Sequence, residues 1–290
     1  MSLMNIYVKE NPISSDQQSI EVVERKGLGH PDTIADGIAE SISIEYSKYC
    51  LGNFSAILHH NVDKSIILGG QCELEYGSGK LLKPFRVLFG GRMSRSFNNQ
   101  DIDLNLIQTT ATKEYLQRIL PRLHTEQDLV FHHFTSSNSR IPHWFTPRTL
   151  DDLPEHKNPH ANDTATIVGF WPFSALEQMV MESERYFYEF KPAIRPRFDF
   201  VGGDIKIMAL RRDKDVELTL CVPFHADKVV DQDKYFEHKS LIESGLRELL
   251  NDKFGSLFNI VLQINTQDQK IKKDRDDGRG RYLTVIGSAL

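Results

Sequence analysis

The sequence predicts an α+β protein built of helix-on-sheet domains. Helical apolar stripes recur at several places, and short apolar runs bounded by turn residues lie between them. The two patterns do not alternate strictly as a doubly wound parallel sheet requires. The 290 residues, 40% hydrophobic and 26% charged, can bury a substantial core and suggest two parts, 1–160 and 161–290.

Ile20, Val22 and Val23 open a short strand over 20–24, and the glycines of "ERKGLGH" hand the chain to a helix over about 32–50. On that helix Ile34, Ile38, Ile42, Tyr46 and Tyr49 fall on one side. The runs "SAILHH", "KSIILGG" and "KLLKPFRVLFGG" read as strands of one sheet packed on it. Residues 94–110 are polar and poorly periodic, a candidate mobile loop, and "TATKEYLQRIL" from Thr110 is a helix ending at Pro121. Residues 132–163, rich in His, Pro and Asn, read as a functional loop or an inter-domain crossing.

In the second part, Ser174 and Glu177 stand in capping-box spacing ahead of a stripe through Leu176, Val180 and Phe187. "GDIKIMALRRDKDVELTLCVPF" gives two strands about the charged hairpin "RRDKD", with Val216, Leu218, Leu220 and Val222 alternating. A helix follows at roughly 234–252, then strands "FNIVLQI" and "RYLTVIGS".

A formal net charge of -5 excludes a general nucleic-acid coat, because a phosphate backbone calls for an excess of Lys and Arg. A local basic pocket for a small phosphate ligand is still allowed. Cys50, Cys72 and Cys221 are far apart and form no CxxC, so neither a disulfide framework nor a zinc site is expected and a reducing cytoplasm fits. The N-terminus lacks the apolar core of a signal peptide, and no run approaches the ~18 apolar residues of a membrane helix.

Chemistry concentrates first in "GLGHPDTIADGIAE". His30 and Pro31 ahead of a helix set an imidazole and backbone N–H groups at the positive end of a helix dipole, a place suited to phosphate. Asp32 has two readings, a first-turn acid favoured by the dipole or a metal ligand. Asp36 and Glu40 share its face with no Lys or Arg between, so a cation, Mg²⁺ or a basic partner, is expected nearby. In "HANDTATIVGFWP", Asn162 and Asp163 either hold a ligand amine or form an Asx turn. Lys206 in "GGDIKIMAL" is either a snorkelling edge residue or faces a phosphate.

The histidines make neither HExxH nor a Cys/His finger, so most are surface or loop residues. A metal-dependent phosphohydrolase using Asp32, Asp36, His59 and His60 is the weaker alternative. "YGSGK" is a hairpin turn, since Leu74 stands where a phosphate loop needs Gly and Leu81 where it needs Ser or Thr.

Taken in order, "ERKGLGHPDTIADGIAE", "HHNVDKSIILGG", "ANDTATIVGFWP", "ESERYF", "GDIKIMALR" and "GRYLTVIGS" resemble methionine adenosyltransferase (S-adenosylmethionine synthetase), specifically its archaeal-type branch. The resemblance runs from about residue 20 to the end. It implies similar α+β domains about a pseudo-threefold axis, paired into homodimers with active sites between subunits. The family joins ATP and L-methionine, using Mg²⁺ and K⁺, and cleaves the released triphosphate.

Carried over by motif, His30 would hydrogen-bond the triphosphate near the breaking bond, Asp32 would hold Mg²⁺, Asp163 would bind the methionine amino group and Lys206 would contact phosphates. Asp36, Asn162 and Asp63 would form the site wall. The family's further Gly-Asp-Asp-Gly and Gly-Arg-Gly-Asn-Arg segments follow the "YLTV" strand. "DRDDGRGRYL" precedes that strand and reads as a charged hairpin turn. A chain truly ending at Leu290 would thus lack part of the phosphate clamp, and the expectation is then an inactive relative that binds nucleotide or a partner subunit.

Overall fold

The computed structural model describes residues 13–153, 169–189, 195–270 and 276–288. The principal elements in chain order are β1 (Ile20–Lys26), α1 (Pro31–Phe54), β2 (Ser65–Leu68), β3 (Gln71–Glu75), β4 (Ser78–Lys83), β5 (Phe85–Phe89), α2 (Leu104–Ile119) and β6 (Leu129–His133). They continue with α3 (Ala175–Arg185), β7 (Lys206–Arg212), β8 (Asp215–Cys221), α4 (Gln232–Phe254) and β9 (Asn259–Ile264). Helices and mixed sheets follow one another without strict alternation, so the α+β expectation holds.

The larger sheet has the order β1-β7-β8-β9, antiparallel except for the parallel β8–β9 pair. Alternation sorts its side chains. Ile207, Ala209, Val216, Leu218, Leu220 and Leu262 face inward and are covered by Leu176, Met179 and Val180 of α3 and Ile242, Leu246 and Leu250 of α4. Each such Leu or Ile contributes roughly 1.5–3 kcal/mol by leaving water. Ile20, Val22, Met208 and Val261 on this sheet are exposed.

The cross-strand pair Glu21–Arg211 is buried on this sheet, at a 3.1 Å ion-pair distance. Arg211 also donates to the carbonyls of Ser15 and Gln18, and Ser174, the N-cap of α3, donates its hydroxyl to Glu21 at 2.6 Å. The predicted capping box is present, with Ser174 N donating to Glu177 and Glu177 N to Ser174.

The second core lies between α1, α2 and a sheet of order β6-β5-β2. Ile34, Ile38, Ile42, Tyr46 and Cys50 of α1 are buried with Phe85, Val87 and Phe89 of β5 and Leu116 of α2. The two cores are not consecutive in sequence. Residue-for-residue pairing ties β1, early in the chain, to β7, while Val285 and Ile286 pack into the α1–α2 core.

Several boundaries differ from expectation for physical reasons. The segment expected to be a loop up to Thr110 becomes the first turn and a half of α2, because Asp103 caps it by accepting from Leu106 N at 2.9 Å. Its buried face carries Gln108, which donates to Thr135 at 2.6 Å and pairs with His133 at 2.7 Å, so a polar residue sits where an apolar one would mark the stripe. Of the runs expected to form one sheet, β2 and β5 do, whereas β4 pairs with β3 in a separate hairpin. Its turn at Tyr76–Gly77 uses a positive φ of 76° at Gly77, as "YGSGK" predicts. The strand expected at "RYLTVIGS" is confined to Leu283–Thr284, paired in parallel with Phe224–His225.

Candidate functional site

Two glycine-bearing segments cross at the end of β1. Gly27 N donates to Ile205 O at 2.7 Å, and Gly29 N donates to Gly203 O at 2.9 Å. A Cβ on Gly29 would stand 2.6 Å from the carbonyl carbon of Gly203, and one on Gly27 2.7 Å from the Gly203 oxygen. Only glycine permits this approach, and it brings the "GLGHPD" turn against the "GGDIK" strand.

His30 is the N-cap of α1, and its Nδ1 accepts from Asp32 N at 3.1 Å. With Nδ1 used as acceptor, the ring proton resides on Nε2, which is left as a donor. Pro31 occupies the first turn, where its lack of an N–H costs nothing. The carboxylate of Asp32 is 65% exposed and pairs with Lys26 Nζ.

Lys26 and Lys206 are direct cross-strand partners, an arrangement of like charges that repels unless an anion stands between them. Glu24 supplies it, lying 3.4 Å from Lys26 and 3.0 Å from Lys206. Asp32, Lys26, Glu24 and Lys206 thus form a ladder of alternating charge across the β1–β7 edge of the glycine crossing. The Lys26 hydrogen bond holds the Asp32 carboxyl below its ordinary pKa, and the Lys206 hydrogen bond does the same for Glu24, while bonding to Asp32 raises Lys26.

The structure therefore brings together His30, Asp32 and Lys206 from segments some 170 residues apart in the chain. Lys206 lies on an interior strand, not the edge that a snorkelling lysine would occupy. The basic partner expected for the acidic face of α1 is, at Asp32, Lys26. Asp36 and Glu40 instead line a cleft of about 400 Å³ with Asp63, which pairs with Lys64. Asn162 and Asp163 lie outside the described residues.

Lys26 and Glu24 were not singled out by sequence reasoning. Their period-two spacing in "VVERKGLGH" puts them on one face of a strand that leads straight into the motif, which was the available signal.

Among the described residues no group of three or more His, Cys, Asp or Glu side chains could hold a metal ion. That argues against the phosphohydrolase arrangement of Asp32, Asp36, His59 and His60. Mg²⁺ arriving on a polyphosphate ordinarily takes one or two carboxylates plus substrate oxygens and water. Asp32, a single exposed carboxylate beside a helix N-terminus and two lysines, matches that donor set.

Fold and site together define a mixed α/β protein with an anion-ready helix start clamped to a lysine-bearing strand. The family model described as S-adenosylmethionine synthetase (AdoMet synthetase) matches residues 4–290. An S-adenosylmethionine synthase of Thermoplasma volcanium is 34% identical over 289 residues, covering 99% of this chain and 68% of that protein. One from Methanoregula boonei is 34% identical over 287 residues, 98% and 68% of the two chains.

An uncharacterized protein of Streptococcus pyogenes serotype M3 is 43% identical over 256 residues, covering 81% of this chain and 63% of that protein. A solved structure, an unusual S-adenosylmethionine synthetase from Campylobacter jejuni, matches with a TM-score of 0.42 and 13% identity over 84% of this chain and 58% of that one. The chain belongs to the S-adenosylmethionine synthetase family, and the match with the streptococcal relative spans 63% of that relative's length.

Proposed function

We propose that this protein acts in the synthesis of S-adenosylmethionine from ATP and L-methionine, with release and hydrolysis of the triphosphate, as an archaeal-type member of its family. The observation that carries the reading is the convergence of His30, Asp32 and Lys206 at the glycine crossing.

In the reaction the methionine sulfur attacks ribose C5′ and the triphosphate departs with its negative charge. What the protein must supply is positioning and cationic or N–H stabilisation of that leaving group. His30 Nε2 donates to a triphosphate oxygen, and Lys206 offers its ammonium. Bound Mg²⁺ would neutralise phosphate charge. Asp32 would hold the ion, and Lys26, no longer its counterion, would turn to the phosphates, so that a self-paired ladder becomes a ligand-paired one. K⁺ enters the reading from the family alone.

Asp163 binding the methionine amino group, with Asn162 and Asp63 as site wall, belongs to the same reading. So do a pseudo-threefold domain arrangement, a homodimer with sites between subunits and a cytoplasmic location. On the outer face of the larger sheet, Ile20, Val22, Met208 and Val261 are exposed among charged residues such as Glu24 and Glu217 and are available to such an interface.

Incubating the purified protein with ATP, L-methionine, Mg²⁺ and K⁺, and following S-adenosylmethionine by mass spectrometry, tests the proposal. Product that requires methionine supports it. ATP binding without product would instead mark a non-catalytic relative, and methionine-independent ATP hydrolysis a phosphohydrolase.

A further inference from the structure

On the other side of the same glycine crossing lies a cavity of about 750 Å³. Leu28 and Gly203 belong to its wall, but His30, Asp32 and Lys206 do not. Its lining joins six segments, among them the end of α2, the Arg195–Gly203 loop and the Ile286–Gly287 turn. The size is in the range of small-molecule sites.

Two features of the lining point to a ligand. The rings of Tyr115, Tyr188 and Phe198 and the side chains of Ile119 and Ile286 give it flat and apolar walls. Arg118, Arg122 and Arg195 also line it. Arg122 is neutralised by Asp227, but Arg118 lies over the Tyr115 ring, 5.4 Å from its centroid, and neither Arg118 nor Arg195 has a carboxylate partner among the described residues.

We infer that this cavity is a second binding site, separate from the His30–Lys206 face, for a small organic anion. The ligand has a planar apolar part against these walls and an anionic group at Arg118 and Arg195. Leu28 and Gly203 form part of the wall, so an occupant touches the crossing that positions His30 and Lys206.

The test uses naphthalene-1-sulfonate, which combines ring and anion and reports binding by its own fluorescence. 1-Naphthylamine serves as the uncharged control and is followed by calorimetry. Saturable binding of the sulfonate to one site is expected, tighter than for the control.

Replacing both surface arginines, R118A with R195A, should weaken the sulfonate by about tenfold or more and leave 1-naphthylamine unchanged, as loss of a charge-assisted contact predicts. Lys206→Ala should leave probe affinity within a factor of about two, because Lys206 lies outside the cavity wall. Absence of saturable binding, binding insensitive to the arginines, or probe affinity abolished by Lys206→Ala would each overturn the inference. None of these results depends on whether the protein makes S-adenosylmethionine.

Discussion

Lys26 pairs with Asp32 at the surface, and Lys239 pairs with Asp268 in the core. The first carboxylate is 65% exposed and the second 0%. Around Asp268 every polar neighbour is engaged. Lys239 donates to both its oxygens at 3.0 and 2.9 Å, Tyr235 donates at 3.0 Å, and Arg281 donates to its backbone carbonyl. Arg281 also pairs with Asp276, which accepts from Tyr76, and lies over the rings of Tyr235 and Phe236.

The same residue types thus serve opposite ends. Charges that are buried and saturated hold the C-terminal turn onto α4 and the β3–β4 hairpin, and they have nothing left to offer a ligand. Among the described residues, those of the ladder pair with one another, weakly because water screens them, and can exchange partners.

The contrast is broken most severely at the buried end. Arg281→Ala leaves Asp276 buried without its cation, and urea unfolding should show a loss of about 3–5 kcal/mol. An unfolding free energy unchanged from wild type would mean that the cluster is not structural.

At the crossing that supports both sites, Gly29→Ala sets a methyl 2.6 Å from backbone. The expected loss is about 1–3 kcal/mol, together with weakened ATP binding, because His30 and Lys206 can no longer keep their positions. A variant of wild-type stability and affinity would show that the two segments need not touch.

Acid exposes a third difference. Burial depresses the pKa of His225 to about 4, with Arg122 pushing the same way and Asp227, a hydrogen bond with the Val285 backbone and Asp199 opposing. Above the unfolded pKa of about 6.5 both states are neutral and His225 adds no pH dependence. As pH falls below that value the unfolded chain takes up a proton that the folded chain refuses until about pH 4, so stability drops across the interval by up to about 3 kcal/mol. His225→Gln should flatten that part of the curve relative to wild type. Equal slopes would remove His225 as its source.

Much of this organisation is legible in the sequence where periodicity and partner choice are local. Ile34, Ile38, Ile42 and Tyr46 announce α1, the "RRDKD" hairpin announces β7 and β8, and Ser174 with Glu177 announces α3. Gln108 hid the start of α2, because its polarity is satisfied by Thr135 and His133, partners that no helical period reveals.

The site was legible as residues, not as an arrangement. His30, Asp32 and Lys206 could each be named, but the Lys26↔Lys206 register that makes Glu24 and Lys26 part of the site is a long-range pairing. The cavity about His225 escaped altogether, since its walls come from six segments with no common motif.

The smallest stability effect and the sharpest functional one should coincide at the ladder. Removing Lys26 or Lys206 from an exposed pair should change unfolding free energy by no more than about 1 kcal/mol. The most direct measurement is calorimetric titration of Mg²⁺-tripolyphosphate into wild type, Lys206→Ala and Lys26→Ala, with folding checked by thermal melt. Affinity reduced about tenfold or more in both variants, with melting temperatures near wild type, is the predicted result. Undiminished tripolyphosphate binding in two well-folded variants would contradict the assignment of the glycine crossing as the phosphate site.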